Sequence, residues 1–290
     1  MQLILEIWQE KFLSEKTALG KLSKNLRRED TLKELIDFCQ RMPLRKTERK
    51  VIVVMPAYNA AKTIEATYND IPSGIVDEVI LVDDKSQDNT IEIAKNLGLR
   101  VLTHKKNIGY GANQKTCYKE ALKRGADIII MIHPDYQYDS SLTGELIKPI
   151  IDGRFDIMFG SRIRTRKEAL EGGMPYLKYI LNRIVSFIEN IILGVNFTEH
   201  LSGFRAYSKR VLKTLPFNNF SDDFVFDQQL MISAVAYGFR VSEYPVPVRY
   251  FSESSSINFT RGVKFLLETL LVLSQFISFK LKFYKSKIFV

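Results

Sequence analysis

Between Val51 and Ala126 short apolar runs alternate with segments of helical length. Val51-Ile-Val-Val-Met55, Glu78-Val-Ile-Leu-Val82 and Arg100-Val-Leu-Thr103 are too short for helices, whereas 60–70, Asn89–Leu97 and Gly111–Arg124 have helical length. A fourth run, Asp127-Ile-Ile-Ile-Met-Ile132, is again rich in β-branched residues. Strands apolar on both faces, joined by helix-length connections, predict an α/β fold whose mostly parallel, Rossmann-like sheet is flanked by helices. Beyond this the pattern is mixed. A strand at Asp156–Phe159 ends in Gly160-Ser-Arg162, a helix covers about 175–193, and a turn and strand lie near Ser202–Tyr207. A helix at 224–237 and a strand at Arg240–Tyr244 follow, with no internal repeat or low-complexity tract.

The two ends differ from this body. Residues 1–50 read as a helical extension of two or three charged helices, with a boundary at Pro43–Lys50, leaving 51–258 as the central domain. Within the basic segment 259–290, Lys264, Glu268, Gln275, Ser278, Lys282 and Lys285 recur at steps of three, four or seven, broken at Leu271. That is a narrow polar stripe on a broad apolar helix, suited either to a bilayer interface or to docking on the protein's own core or a partner.

Charge sharpens the division. Residues 1–50 hold 12 Lys/Arg against 8 Asp/Glu and residues 259–290 hold 6 against 1, so the net +9 resides at the ends while the body balances at 24 against 24. A nucleic-acid partner, which needs a basic stripe on the folded body, is not expected. Cys39 and Cys117 make no disulfide framework and match no zinc spacing, which fits a reducing compartment. Met1–Trp8 is a poor signal peptide, since it lacks a basic start and contains Glu6. No uninterrupted apolar run approaches the roughly 18 residues of a membrane span.

In a parallel sheet the loops leaving the carboxyl ends of the strands collect on one rim, where ligands bind. Here they are Pro56-Ala-Tyr-Asn59, Asp83-Asp84, Asn107-Ile-Gly-Tyr-Gly-Ala-Asn113 and His133-Pro-Asp-Tyr-Gln137. Asp83 suits hydrogen bonds to a ribose or base, whereas Asp88 or Asn89 reads as a helix cap. Asp135 and Gln137 offer hard oxygen ligands for Mg²⁺ or Mn²⁺, and His133 either joins them or is structural. The glycine loop has the look of a phosphate cradle but lacks the third glycine of the dinucleotide fingerprint. Arg162 and Arg205, beside glycine or in tight turns, are candidate phosphate ligands, with Arg183 and Arg249 in later segments. Asp227, among Phe224, Val225 and Phe226, reads either as a base or as a favourable charge at a helix start.

Taken together, Val53-Val-Met-Pro-Ala-Tyr-Asn59, Leu81-Val-Asp-Asp-Lys-Ser-Gln-Asp-Asn-Thr90, the glycine loop, His133-Pro-Asp-Tyr-Gln137, Gly160-Ser-Arg162 and Ser202-Gly-Phe-Arg-Ala-Tyr207 resemble a family 2 glycosyltransferase of GT-A fold. The branch resembled is that of dolichyl-phosphate mannose synthase-like, polyprenyl-phosphate enzymes, over about 51–258. The resemblance implies nucleotide-holding positions at Pro56, Ala57, Tyr58 and Asp83, metal ligands at Asp135 and Gln137, and an arginine near the sugar or acceptor phosphate at Arg162. It places Asp227 opposite the acceptor. With the rim reading, the expected donor contacts extend to Asn59, Asp84, Asn113, His133 and Arg205, and the acceptor-phosphate contacts are Arg162, Arg183 and Arg249.

The chain departs from the pattern at three places. His133 replaces the first acid of Asp-x-Asp, Lys85 stands where glycine is common, and the Gly-x-Ser-Lys ending becomes Glu253-Ser-Ser-Ser256. The implied activity is inverting, metal-dependent transfer from a GDP- or UDP-sugar to a lipid phosphate at the inner, cytoplasmic membrane face. Two other readings stand beside it: transfer to a glycan or small-molecule hydroxyl, and a non-catalytic nucleotide-sugar-binding protein at a membrane surface. A sugar-1-phosphate nucleotidyltransferase expects a glycine-rich, Arg-containing loop after strand one, which Pro56–Asn59 is not.

Overall fold

The structure is a computed structural model, described here for residues 49–247, 259–283 and 286–289. The expected alternation is present. β1 (Val51–Ala57), β2 (Glu78–Asp83), β3 (Arg100–Thr103) and β4 (Ile128–Met131) are separated by α1 (Ile64–Asn69), α2 (Thr90–Asn96) and α3 (Tyr110–Lys123). The strands are continuously apolar because successive residues enter different cores. Ile52, Val54, Ile80 and Val82 pack with Cys117, Tyr118 and Ala121 of α3. Val51, Val53, Met55 and Leu81 pack on the opposite face with Ile64 of α1 and with Leu146, Ile147 and Ile150 of α4 (Thr143–Ile151). A one-residue slip would exchange the two sets, and each such side chain contributes roughly 1.5–3 kcal/mol when buried, so the register is firmly specified.

Chain order then sets the site. The seven strands lie in the order β3-β2-β1-β4-β6-β5-β7, with β5 (Ile157–Ser161), β6 (Arg205–Ser208) and β7 (Val241–Pro245) completing the sheet. All pairings are parallel except those of β6, which runs antiparallel to both β4 and β5. The chain leaves β1 toward β2 on one side and later returns to β4 on the other. A reversal of that kind is where open α/β sheets bind ligands, outside the carboxyl ends of β1 and β4.

Helices α5 (Arg166–Glu171), α6 (Tyr176–Leu193), α7 (Lys209–Thr214), α8 (Phe226–Ala236) and α9 (Phe259–Lys280) complete the body. The α6 and α8 spans agree with the sequence pattern, while α4, α5 and α7 were not expected from it. In α4, Gly144 and Pro149 read as breakers, yet three buried aliphatic residues hold the helix against the sheet. Helix α9 docks on the protein's own core, one of the two readings of its stripe. Val272, Leu273 and Phe276 are buried against the core with Ile288 and Phe289, while Leu267, Leu270 and Leu271 stay exposed. Despite its charges, Thr260–Lys280 is long and apolar enough to cross a membrane by length and composition. The expected extension over 1–50 lies outside the described residues up to position 48, as do Arg249, Glu253–Ser256 and Lys285.

Candidate active site

On the donor side the rim loops are tied to one another by short hydrogen bonds. β1 ends at the buried Pro56 and Ala57 and hands the chain to the exposed Tyr58 and Asn59. Asn59 adopts φ 52°, its N–H donates to Ser86 Oγ at 2.8 Å, and its Oδ1 accepts the Gln87 N–H at 2.8 Å. Asp83 is fully buried; one carboxylate oxygen accepts the Ser86 N–H at 2.9 Å and the other accepts the Ser86 hydroxyl. The aspartate therefore builds its own turn. Lys85, where the resemblance expects glycine, holds φ 68°, a conformation costing a side-chain-bearing residue about 1–2 kcal/mol. Asp88 accepts the Thr90 N–H at 3.1 Å and the Ala61 N–H at 3.0 Å, consistent with its reading as a cap.

Two expected donor contacts have hydrogen-bond partners within the protein. Asp84 accepts the Ile108 N–H at 2.9 Å and the Gly109 N–H at 3.0 Å and faces His104 Nδ1 at 2.9 Å, so it clamps the glycine loop. Asn113 is buried and donates to Val82 O at 3.0 Å, tying α3 to the end of β2. The glycine loop is no fully open phosphate cradle either, because the N–H groups of Ile108, Gly109, Gly111 and Ala112 already have acceptors. Gly111 donates to Asp222 O at 2.8 Å, and a Cβ there would lie 2.5 Å from Ser221 O. Its glycines serve close approach to the segment preceding α8.

The mouth of β4 is different. Asp135 is half-buried, Gln137 is buried, and Tyr136 between them takes φ 57°. Tyr110 donates to Asp227 Oδ2 at 2.6 Å, Gln114 donates to Asp227 Oδ1 at 3.1 Å, and His133 Nε2 lies 2.9 Å from Tyr110 Oη. Burial, reinforced by the Asp227 charge, holds the Tyr110 phenol well above its usual range, so it stays protonated. Its single proton goes to the carboxylate, and the phenol oxygen accepts from His133 Nε2–H. This network makes Nε2 of His133 the donor to Tyr110, leaving Nδ1 as the nitrogen that could take a ligand. Gly203 makes room for the ring, since a Cβ there would sit 2.6 Å from His133 Cδ2.

Three expected phosphate arginines are committed elsewhere. The buried Arg162 is paired with the fully buried Glu199; its backbone N–H reaches Oε2 at 2.8 Å and its Nε reaches Oε1 at 3.0 Å. Asn182 of α6 donates to the same carboxylate at 2.8 Å. Burial alone would raise the Glu199 carboxyl, but Arg162 holds it below its ordinary value, so the pair is ionised. Arg162 is thus a positioning element, its charge matched. Arg205 is also buried and donates to Ser202 O at 2.7 Å, Asp227 O at 2.9 Å and His200 O at 3.0 Å. A guanidinium spread over three carbonyls braces the loop and leaves no face for a nucleotide. Arg183 bonds to Thr198 O.

Lys178, half-buried on α6, is the cation that sequence reasoning missed. Burial, then the neighbouring Arg162, lowers its ammonium to about 8, opposed by Glu199 and Asp135. Tyr110, Gln114 and Glu199 were missed as well. Tyr110 and Gln114, four apart on α3, share a helix face, which is the one signal pairing them before folding.

Residues 52–215 match the model of glycosyl transferase family 2. The chain belongs to that family. This glycosyltransferase is 31% identical over 224 residues to a protein of Methanocaldococcus jannaschii, covering 77% of this chain and 91% of the other. It is 29% identical over 244 residues to the UDP-N-acetylglucosamine–dolichyl-phosphate N-acetylglucosaminyltransferase of Methanococcus voltae, covering 78% and 96%. Glucosyl-3-phosphoglycerate synthase of Mycobacterium tuberculosis, solved with Mn²⁺, UDP and glucosyl-3-phosphoglycerate, shares the fold. Its TM-score is 0.62 at 20% identity, covering 82% of this chain and 83% of that one.

That neighbour was also crystallised with Mg²⁺ and UDP. In this glycosyltransferase, no cluster of three or more His, Cys, Asp or Glu side chains is arranged for a metal among the described residues. The carboxylate of Asp135, the amide of Gln137 and Nδ1 of His133 make a sparse, mostly oxygen donor set. Such a set fits a hard divalent cation that completes its shell with water and substrate phosphates, and does not fit a closed structural site.

Proposed function

We propose that this glycosyltransferase moves a sugar from a UDP- or GDP-sugar to a polyprenyl, dolichyl-type phosphate at the cytoplasmic membrane face, with inversion at the anomeric carbon. The observation that carries the reading is the mouth of β4. There Asp135 and Lys178 lie within electrostatic reach of one another, while the nearby candidate base, Asp227, already accepts hydrogen bonds on both oxygens. A phosphate acceptor is ionised before it reacts, so its oxygen attacks the anomeric carbon without surrendering a proton as the bond to the diphosphate breaks. A hydroxyl acceptor would need a freer base. The dolichyl-phosphate activity named for the Methanococcus voltae relative supports the same acceptor class.

A divalent cation at Asp135, Gln137 and His133 would stabilise the negative charge developing on the diphosphate. The chain's own groups do the rest. Tyr110 takes the Nε2 hydrogen bond of His133 and fixes the orientation of Asp227. Arg162 and Glu199 hold the loop facing them, and Lys178 is placed to meet the acceptor phosphate. The amphipathic α9 brings the site to the lipid surface.

Transfer from UDP-N-acetylglucosamine to dolichyl phosphate, assayed beside a panel of hydroxyl acceptors, tests the reading. We expect phosphate acceptors to be used and Asp135→Ala to lower turnover by about 10²–10³-fold or more. Full activity in Asp135→Ala, or transfer to hydroxyl acceptors alone, overturns it.

A further inference from the structure

Helix α6 is amphipathic in the reverse sense. Its buried positions include Asn182, Ser186 and Glu189, followed by Leu193. Its exposed positions include Tyr176, Leu177, Leu181, Ile184, Phe187 and Ile191. Both sets recur at steps of three and four, so they form opposite stripes on one helix. Rotation cannot exchange them, because the polar stripe is engaged inside. Asn182 donates to Glu199 at 2.8 Å, Ser186 donates to Asn182 Oδ1 at 3.3 Å, and Glu189 lies 3.2 Å from His200 Nδ1. The apolar stripe therefore faces outward by construction, and an apolar patch of that kind marks a partner surface.

Helix α9 packs against α6 and turns Val263, Leu267, Leu270, Leu271 and Ile277 outward, followed by Leu281 and Phe283, the last of these 83% exposed. Cations frame this surface. Arg261, Lys280, Lys282 and Lys287 are exposed, while Lys264 is paired with Asp223 and the cations of α5 are balanced by Glu168 and Glu171. Segment 259–290 carries 6 Lys/Arg against a single acid, Glu268. Apolar residues bordered by lysine and arginine complement an anionic bilayer, with acyl chains under the helix and headgroups at its margins. A second copy would bring the same positive margin and be repelled.

We propose that the outer face of α6, together with α9, is a docking surface for an anionic lipid bilayer. The inference deepens the lipid-acceptor reading and rests on it for the bilayer as occupant. It extends the membrane contact to a helix whose inner face holds the Arg162–Glu199 pair and whose first turn carries Lys178. The acceptor phosphate would then reach the mouth of β4 from the plane in which α6 lies.

Flotation of the full chain with vesicles of equal phosphatidylcholine and phosphatidylglycerol tests this, against pure phosphatidylcholine as control. We expect binding that needs the anionic lipid and weakens with salt. The double variant Leu181→Gln, Phe187→Gln should lose at least about tenfold in partition, whereas Leu181→Met, Phe187→Leu should keep it. Calorimetry with UDP and Mn²⁺ on the same proteins separates the two readings. Failure of every form to bind UDP would sink the donor site and leave the surface standing. Absent vesicle binding by the wild type overturns the proposal, and so does unchanged flotation of the glutamine variant. In the latter case a fall from dimer to monomer in sedimentation would identify a self-interface, and an unchanged mass would point to cover by the chain's own first 48 residues.

Discussion

The donor side of the rim, built on β1 to β3, and the acceptor side, built from β4 onward with α6, meet outside the carboxyl ends of β1 and β4 but are held by different means. On the donor side the rim groups mostly meet backbone groups and short side chains of neighbouring loops: Asp83 to Ser86, Asp84 to Ile108 and Asn113 to Val82, separations of 3, 24 and 31. The acceptor side adds bonds between charged or buried groups on more distant segments, beside the short-range ones of Arg205. Arg162 meets Glu199 across 37 residues and Tyr110 meets Asp227 across 117. Short loops that tie themselves shape a nucleotide pocket locally. Long-range ion pairs tie the acceptor side to the packing of the whole fold, which makes it the side more easily disturbed.

The difference predicts where damage is greatest. Glu199→Gln should have the largest effect on stability, because it leaves the Arg162 guanidinium buried without its counter-charge. Loss of one partner of a buried pair costs about 3–5 kcal/mol, seen as a lowered urea midpoint with unchanged slope. A loss below 1 kcal/mol would show that the pair does not organise the acceptor side. Asp84→Asn, on the donor side, should cost about 1–3 kcal/mol, because one of the N–H groups of Ile108 and Gly109 loses its acceptor. Its readout is weakened UDP binding with acceptor KM unchanged. An equal rise in acceptor KM would break the division.

Tyr110→Phe comes next. Asp227 would lose one donor and His133 its partner, a change of about 1–2 kcal/mol and hence roughly a tenfold fall in kcat/KM. The histidine ring gives a sharper readout than rate. Without the Tyr110 oxygen the His133 Nε2 loses its partner, so the NMR shifts of the ring should move. Unchanged ring shifts would remove Tyr110 from the positioning network.

Much of this architecture was legible in the chain. The apolar runs revealed β1 to β4 because burial on both faces leaves no other pattern, and the polar loops marked the rim because soluble strands end where the apolar run ends. What a loop residue does once on the rim was not legible. Asp84, Asn113 and Arg205 have the right chemistry for a ligand and the right position, yet their atoms serve Ile108, Val82 and Ser202. Pattern reports the type of group and its strand end, not which partner reaches it first. Lys178 and Glu199 were invisible for a related reason. A lysine in a helix with an apolar outer face, and a glutamate in a loop, acquire meaning only when α6 and β5 converge.

Glu189 and His200 should give the smallest effect at neutral pH and the clearest test of how charge is handled beneath α6. Asn190 Oδ1 accepts the Phe197 N–H at 3.0 Å and lies 2.9 Å from His200 Nε2, so His200 donates from Nε2 while Nδ1 has no hydrogen-bond partner. Glu189 Oε2 lies 3.2 Å from Nδ1, yet neither Glu189 oxygen has a hydrogen-bond partner, so the two groups meet in contact alone. Burial pushes the Glu189 carboxyl up to about 8, and burial followed by Arg205 brings His200 down to about 3, so both are neutral between these limits. The folded chain keeps the Glu189 proton where the unfolded chain has lost it. Its stabilisation is complete below the ordinary carboxyl range, near 4.5, and fades as pH rises through about 8. His200 has the opposite sign, and its contribution is lost as pH falls from 6.5 toward about 3. Glu189→Gln keeps a neutral side chain of the same shape and removes the titrating proton, so it should change stability by less than about 1 kcal/mol at pH 7. Between pH 6 and 9 the melting temperature should fall less steeply than in the wild type, while the acid limb stays unchanged. A loss of several kcal/mol at pH 7 would mean that Glu189 is ionised and His200 charged, and that the acceptor side holds a second buried ion pair beside Arg162 and Glu199.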